Sequence, residues 1–205
     1  MSFLSTGPTD ATATLLLAHG AGAPMDSAWM NMMAEKLAGE GIRTVRFEFG
    51  YMAARRDGQR KPPPRGEVLR PEYLAAVDAL RPTGKLLIGG KSLGGRVASM
   101  VANGLFQQGK IAGLVCLGYP FHPPGQPDKL RTSHLDTLSA PTLICQGTRD
   151  PFGTREDVAG YRLSPSIKLH WLEDGDHEFK PRKPHSLENH LGDVAEKIAK
   201  WVAGL

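Results

Sequence analysis

Apolar residues along this chain fall into two kinds of pattern. Short, nearly continuous runs recur: Thr14–Ala18 (TLLLA), Thr44–Phe49 (TVRFEF), Lys85–Ile88 (KLLI), Gly113–Leu117 (GLVCL), Thr142–Cys145 (TLIC) and Lys168–Trp171 (KLHW). Runs without polar alternation suit strands buried on both faces of a parallel sheet. Between them lie helix-length segments. Asp26 or Ser27 offers an N-cap for a helix to Gly39, and a second helix spans Pro71 to Leu80. A third begins directly after Ser92 and stops near Asn103-Gly104. Thr154-Arg155-Glu156-Asp157 reads as a capping box opening a fourth. In the last, Leu187, Leu191, Val194, Ala195, Ile198, Trp201 and Val202 form one helical stripe. Strand–helix alternation of this kind predicts a three-layer α/β architecture: a mostly parallel sheet of about six strands with helices on both faces.

Composition narrows the class. The 205 residues, 40% hydrophobic and 22% charged, suit one globular domain spanning 1–205. No apolar run approaches the ~18–20 residues of a membrane span. Neither a secretory n-region nor an h-region is present at Met1–Asp10, so a cytoplasmic location is expected. Cys116 and Cys145 lie within apolar runs and read as buried free thiols.

The formal charge of +4 is concentrated. Residues 55–70 hold six basic groups (Arg55, Arg56, Arg60, Lys61, Arg65, Arg70) against Asp57 and Glu67. A basic body for gripping nucleic acid is therefore not expected. Arg55–Gly66, with its three prolines, reads as a loop, as does Pro120–Pro127. Arg55, Arg56, Arg60 and Lys61 are candidates for attracting an anionic substrate.

Gly90-Lys91-Ser92-Leu93-Gly94 fits G-x-S-x-G, entered by a strand and left by a helix. That context matters, because the pattern alone is weak in a chain with 24 glycines. A serine on a sharp strand–helix turn is exposed, and the helix N-terminus favours developing negative charge. Gly90-Lys91-Ser92 also resembles the end of a phosphate-binding P-loop, but position 85 is Lys rather than Gly, and Leu86–Ile88 read as strand. Lys91 beside the nucleophile has no steric rationale, and it either steers an anionic group or reaches solvent. A serine needs a base, and the base an orienting acid. Asp150 follows one strand in Gly147-Thr148-Arg149-Asp150-Pro151, and His177 follows the next in Asp174-Gly175-Asp176-His177-Glu178-Phe179. For the oxyanion, the N–H groups of Leu93 and of Ala21, in the loop His19–Ala23, are the candidates. Substrate contacts are expected from Met25, Trp29, Tyr119, Phe121, His122, Phe152 and Phe179. The histidines and cysteines show no zinc-binding spacing, so no metal and no cofactor is expected.

Strand–HGAGA, strand–GGKSLGG–helix, strand–GTRDP and strand–GDHEF, in that order, resemble an α/β-hydrolase over nearly the whole chain. Gly118–Gly125 and Lys129-Leu130-Arg131 resemble a small bacterial family, itself similar to the hydrolase-like domain of a mammalian histone-acetyltransferase complex subunit. Dienelactone hydrolase is a more distant resemblance, with cysteine where this chain has Ser92. Two departures from that pattern are expected: only about a dozen residues precede TLLLA, so the usual two N-terminal antiparallel strands are missing, and only some two dozen separate LVCLG from TLIC, so a lid domain is missing too. The resemblance implies a serine hydrolase cleaving a small ester or thioester through Ser92, His177 and Asp150, while the charge distribution and hydropathy point to neither a nucleic-acid nor a membrane partner. The alternatives are a non-catalytic scaffold able to take a protein partner, and an amide hydrolase or acyltransferase using the same residues.

Overall fold

The computed structural model describes residues 2–59 and 61–205. In chain order the elements are β1 (Phe3–Thr6), β2 (Ala13–Ala18), α1 (Ala28–Gly39), β3 (Arg43–Phe47), α2 (Gly50–Arg56), α3 (Gly66–Ala79), β4 (Lys85–Lys91), α4 (Leu93–Gln107), β5 (Gly113–Leu117), β6 (Thr142–Gly147), α5 (Arg155–Ala159), β7 (Ile167–Leu172) and α6 (Leu187–Ala203). They form a seven-stranded sheet ordered β1-β3-β2-β4-β5-β6-β7, parallel except for β1.

The sheet has one strand more than the six expected. Phe3–Thr6 pairs antiparallel with β3, Phe3 opposite Phe47 and Thr6 opposite Thr44. Its four residues sit at the sheet edge and are mostly half-buried, so no continuous apolar run announces it.

The apolar runs have a simple cause. Along β2, Leu15 and Leu17 face the cluster formed with α1 and α6, while Leu16 and Ala18 face the one formed with α3 and α4. Alternate side chains point to opposite faces, and helices cover both, so no position wants a polar residue. Each fully buried leucine contributes ~1.5–3 kcal/mol. Cys116 and Cys145 are buried free thiols within these layers. Among the described residues no helix is long and apolar enough to cross a membrane.

Two helices depart from the expected limits. α3 starts at Gly66, ahead of Pro71, because Leu69 already belongs to the buried stripe with Tyr73, Ala76 and Val77. α4 runs past Asn103-Gly104 to Gln107. The Asn103 side chain is instead a tether, receiving the Ser139 N–H at 2.7 Å and donating to the Thr137 carbonyl at 3.0 Å. The chain turns at Gly109, whose positive φ of 66° suits a residue without Cβ. The segment expected as a loop at 55–66 is likewise part helix, because α2 includes Arg55 and Arg56. The capping box at Thr154 and Asp157 is present as expected.

Candidate active site

β2 and β4 are adjacent, and the chain leaves them toward opposite flanks of the sheet, so a crevice opens at their carboxyl ends. Ser92 stands at the end of β4, where strand becomes helix. Its backbone is strained, with φ 51° and ψ −115°. The turn closes only around glycine: a Cβ on Gly90 would lie 2.3 Å from the Gly94 carbonyl carbon, and one on Gly94 2.6 Å from the Ala18 and His19 oxygens. Ser92 thus caps α4 and presents its hydroxyl to the crevice.

His177 Nε2 lies 2.9 Å from Ser92 Oγ, and His177 Nδ1 lies 2.8 Å from Asp150 Oδ2. Asp150 is wholly buried. Its Oδ1 accepts the Phe152 N–H at 2.9 Å, and its Oδ2 also accepts from Gln146 Nε2 at 2.9 Å. Gln146 is fixed in turn by the Tyr119 N–H and by the Tyr119 and Gly153 carbonyls. Every polar atom of the buried carboxylate is therefore satisfied, with its lone pair aimed at the imidazole. With the Nδ1 proton facing Asp150, Nε2 is left to accept the Ser92 hydroxyl.

A family model described as an alpha/beta hydrolase domain matches residues 11–203. The chain belongs to that family. Three solved structures of similar fold show how far the likeness extends. Dienelactone hydrolase from Anabaena variabilis has a TM-score of 0.74 at 24% identity, over 98% of this chain and 90% of that one. Est1E from Butyrivibrio proteoclasticus has 0.73 at 17%, over 98% and 94%. A serine hydrolase without lid from Xanthomonas campestris has 0.69 at 20%, over 98% and 87%.

In this α/β-hydrolase chain the loop after β2 is held from beneath. Phe49 N–H donates to His19 Nε2 at 3.2 Å, so the His19 proton sits on Nδ1, 2.6 Å from the Gly20 carbonyl. Burial depresses the His19 pKa and keeps the ring neutral. The Tyr51 hydroxyl lies 3.1 Å from the Ala21 carbonyl and 3.3 Å from that of Gly20, donating between them. In a trans peptide the Gly20 C=O and the Ala21 N–H point in opposite directions. With the Gly20 carbonyl held on the side of His19 and Tyr51, the Ala21 N–H is left to the opposite side, and Ala21 and Ser92 both line the crevice. Leu93, the first residue of α4, has no intrahelical acceptor for its own N–H.

Lys91 points away from solvent. Its Nζ donates to the His177 carbonyl at 2.7 Å, pairs with Glu178 at 3.2 Å, and lies 5.5 Å from the Trp29 ring centroid. Trp29 Nε1 donates to the Glu178 carbonyl at 2.9 Å. The loop carrying His177 is thus fastened from two elements, β4 and α1.

The expected substrate contacts divide. Trp29 and Phe152 line the crevice, and the Phe152 ring centroid is 4.3 Å from that of His177. Tyr119, Phe121 and Phe179 are wholly buried in the layers beneath it. His122 is 4% exposed and faces Asp157, while Met25 donates its N–H to Glu48; neither lines a crevice at Ser92. Aromatic residues after a strand end look alike in sequence whether they turn down into the core or up into a cleft.

The basic segment is partly spoken for. Arg56 binds both oxygens of Glu48, at 2.7 and 2.8 Å, and Asp26 at 2.8 Å. Arg55 lies over the Tyr51 ring, and its guanidinium donates to the Lys61 carbonyl. Arg60 lies outside the described residues. Arg96, which no motif marked, and Arg131, named above only within Lys129-Leu130-Arg131, line the crevice instead, together with Arg65. Gln146 and Tyr51 lie outside every motif, and His19, although it opens HGAGA, had no role of its own assigned to it.

Proposed function

We propose that this protein is a serine hydrolase acting on carboxylic esters or thioesters of small molecules through an acyl-enzyme. The observation that carries this reading is the hydrogen-bonded series Ser92 Oγ, His177 and buried Asp150, at 2.9 and 2.8 Å, on a strained strand–helix turn. Strain at a positive φ persists where the surroundings enforce it, and here it lifts a hydroxyl out of the sheet edge.

Ser92 Oγ attacks the carbonyl carbon while its proton passes to His177 Nε2. Asp150 stabilises the imidazolium that results. The oxyanion is met by the N–H groups of Leu93 and Ala21, each such donor being worth ~10²–10³ in rate. His177 then gives its proton to the departing alkoxide or thiolate, and the C–O or C–S bond breaks. Water, deprotonated by His177, attacks the acyl-serine and returns Ser92 to its starting state.

The deciding experiment is labelling with a fluorophosphonate probe, followed by p-nitrophenyl ester hydrolysis. Wild type should be labelled and Ser92→Ala should not. Labelling that persists in a folded Ser92→Ala protein would overturn the nucleophile, and absence of labelling in folded wild type would overturn the activity.

A further inference from the structure

Two cavities meet at Ser92, sharing Ala21, Ser92 and Phe152 between them. The smaller, about 320 Å³, is lined by Trp29, Met30, Lys91, His177 and Glu178. The larger, about 510 Å³, runs the other way, over Leu93, toward Arg65, Glu67, Arg96 and Arg131. His177 lines the smaller cavity and not the larger. The leaving group has to lie where His177 can protonate it. The alcohol or thiol half therefore occupies the smaller cavity, and the acyl half extends into the larger.

The larger cavity carries excess positive charge. Its three arginines face a single carboxylate, Glu67, which binds Arg96 at 2.6 Å. Among the described residues no carboxylate lies within ion-pair distance of Arg131 or Arg65. Arg96 also keeps a buried Nε–H without a partner. Burial and the nearby Arg96 guanidinium both disfavour the charged form of Arg131, a tension that an entering anion would relieve.

These two arginines are fastened at the backbone by one half-buried network. Ser99 Oγ donates to the Arg96 carbonyl at 2.7 Å, and the Tyr119 hydroxyl donates to the Arg131 carbonyl at 3.0 Å. His134 Nε2 joins them, 2.8 Å from Ser99 Oγ and 3.4 Å from the Tyr119 hydroxyl. Arg131 N–H donates to the Phe121 carbonyl at 2.8 Å. Helix α4 and the loop after β5 thus present their guanidinium groups from anchored positions, which limits the entropy lost on binding an anion.

We infer that the acyl half of the substrate ends in a carboxylate bound by Arg96 and Arg131, so that the substrate class is the half-esters or half-thioesters of dicarboxylic acids. This rests on the esterase reading above. Guanidinium groups bind carboxylates through paired, charge-assisted hydrogen bonds. The cationic attraction expected from Arg55, Arg56, Arg60 and Lys61 is thereby assigned to Arg96 and Arg131, which line the crevice.

The test compares p-nitrophenyl monoesters of glutaric and adipic acid with p-nitrophenyl pentanoate and hexanoate. A third pair, 4-carboxyphenyl acetate and phenyl acetate, moves the anion to the leaving side. In wild type, kcat/KM should favour the anionic acyl chain by about tenfold or more. Arg131→Gln should lower that preference by about ten- to hundredfold, whereas Arg55→Gln should leave the ratio as it was. Equal rates on both acyl types, a ratio indifferent to Arg131→Gln, or a preference confined to 4-carboxyphenyl acetate would each overturn the inference while leaving the esterase reading intact. Should no ester be hydrolysed, the esterase reading fails. Calorimetric titration of glutarate into Ser92→Ala then decides the anion site: binding lost on adding Arg131→Gln supports it, and no binding ends it.

Discussion

Lys91 and His177, 86 positions apart in the chain, are joined by a 2.7 Å hydrogen bond from the ammonium group to the histidine's own carbonyl. The residue next to the proposed nucleophile thereby holds the loop of the proposed base. A buried ammonium group is costly, and burial depresses its pKa even with Glu178 beside it. Lys91→Met should therefore leave Tm unchanged or higher while lowering kcat on p-nitrophenyl acetate by about tenfold, since a misplaced base is a matter of geometry rather than folding. Lys91→Arg should recover part of the loss. A Lys91→Met protein with wild-type kcat and an unchanged pH profile would show that the bond holds nothing that catalysis needs.

Asp150→Asn keeps the size of the side chain but presents a donor where the carboxylate accepted two hydrogen bonds. The His177 ring would be held in the wrong tautomer, and kcat should fall by ~10⁴. Gln146→Met removes one of the donors to the same carboxylate and should cost less, about tenfold. Pre-steady-state acylation rates measure both. A Gln146→Met effect as large as that of Asp150→Asn would mean that the glutamine supports the fold rather than the charge.

Tyr51→Phe deletes one hydroxyl that holds the Gly20 and Ala21 carbonyls. Freed from it, the peptide between them loses its fixed tilt, and the Ala21 N–H loses its aim. The expected result is a fall in kcat of about three- to tenfold with little change in KM, since the proposed oxyanion contact is made to the transition state. Raised KM at constant kcat would place Tyr51 in ground-state binding instead.

Acid should weaken the fold through histidine burial. His134 is pushed down to about 4 from an ordinary 6.5, by burial first and by the Arg96 charge second. Above 6.5 the ring is neutral in both folded and unfolded chains and contributes no pH dependence. Between 6.5 and 4 the unfolded chain takes up a proton that the folded one refuses, so stability declines as pH falls, and the decline levels off below 4. His19, depressed by burial, adds to the same trend. Thermal melts of His134→Gln across pH 4–7 should show a shallower slope than wild type. A slope identical to wild type would assign the acid sensitivity elsewhere.

The sheet and the Ser92 turn were legible because each is written in local chemistry. Continuous apolar runs mean two covered faces, and glycines crowded around one serine mean a turn that tolerates no Cβ. The residues behind them were not legible. His19 precedes the Gly-rich loop and looks like part of it, yet its role depends on Phe49 and Gly20 meeting across two strands. Arg96 and Arg131 are unremarkable on α4 and in a loop, and only the fold sets them on one wall. The same limit applies to Tyr119 and Phe121. Their apolar character predicted contact with something, but the partner proved to be the protein interior. Edge strand β1 escaped notice because an edge needs few buried residues to pair.

Helices α1 and α6 pack together over one face of the sheet, although nearly the whole chain separates them. During synthesis Leu15, Leu17, Met33 and Leu37 emerge early, and the cluster they share with Leu191, Val194 and Ile198 is complete only when those follow. By then Ser92, Asp150 and His177 have all left the ribosome. The nascent chain thus holds every proposed reacting group before α6 completes the apolar layer on that face of the sheet.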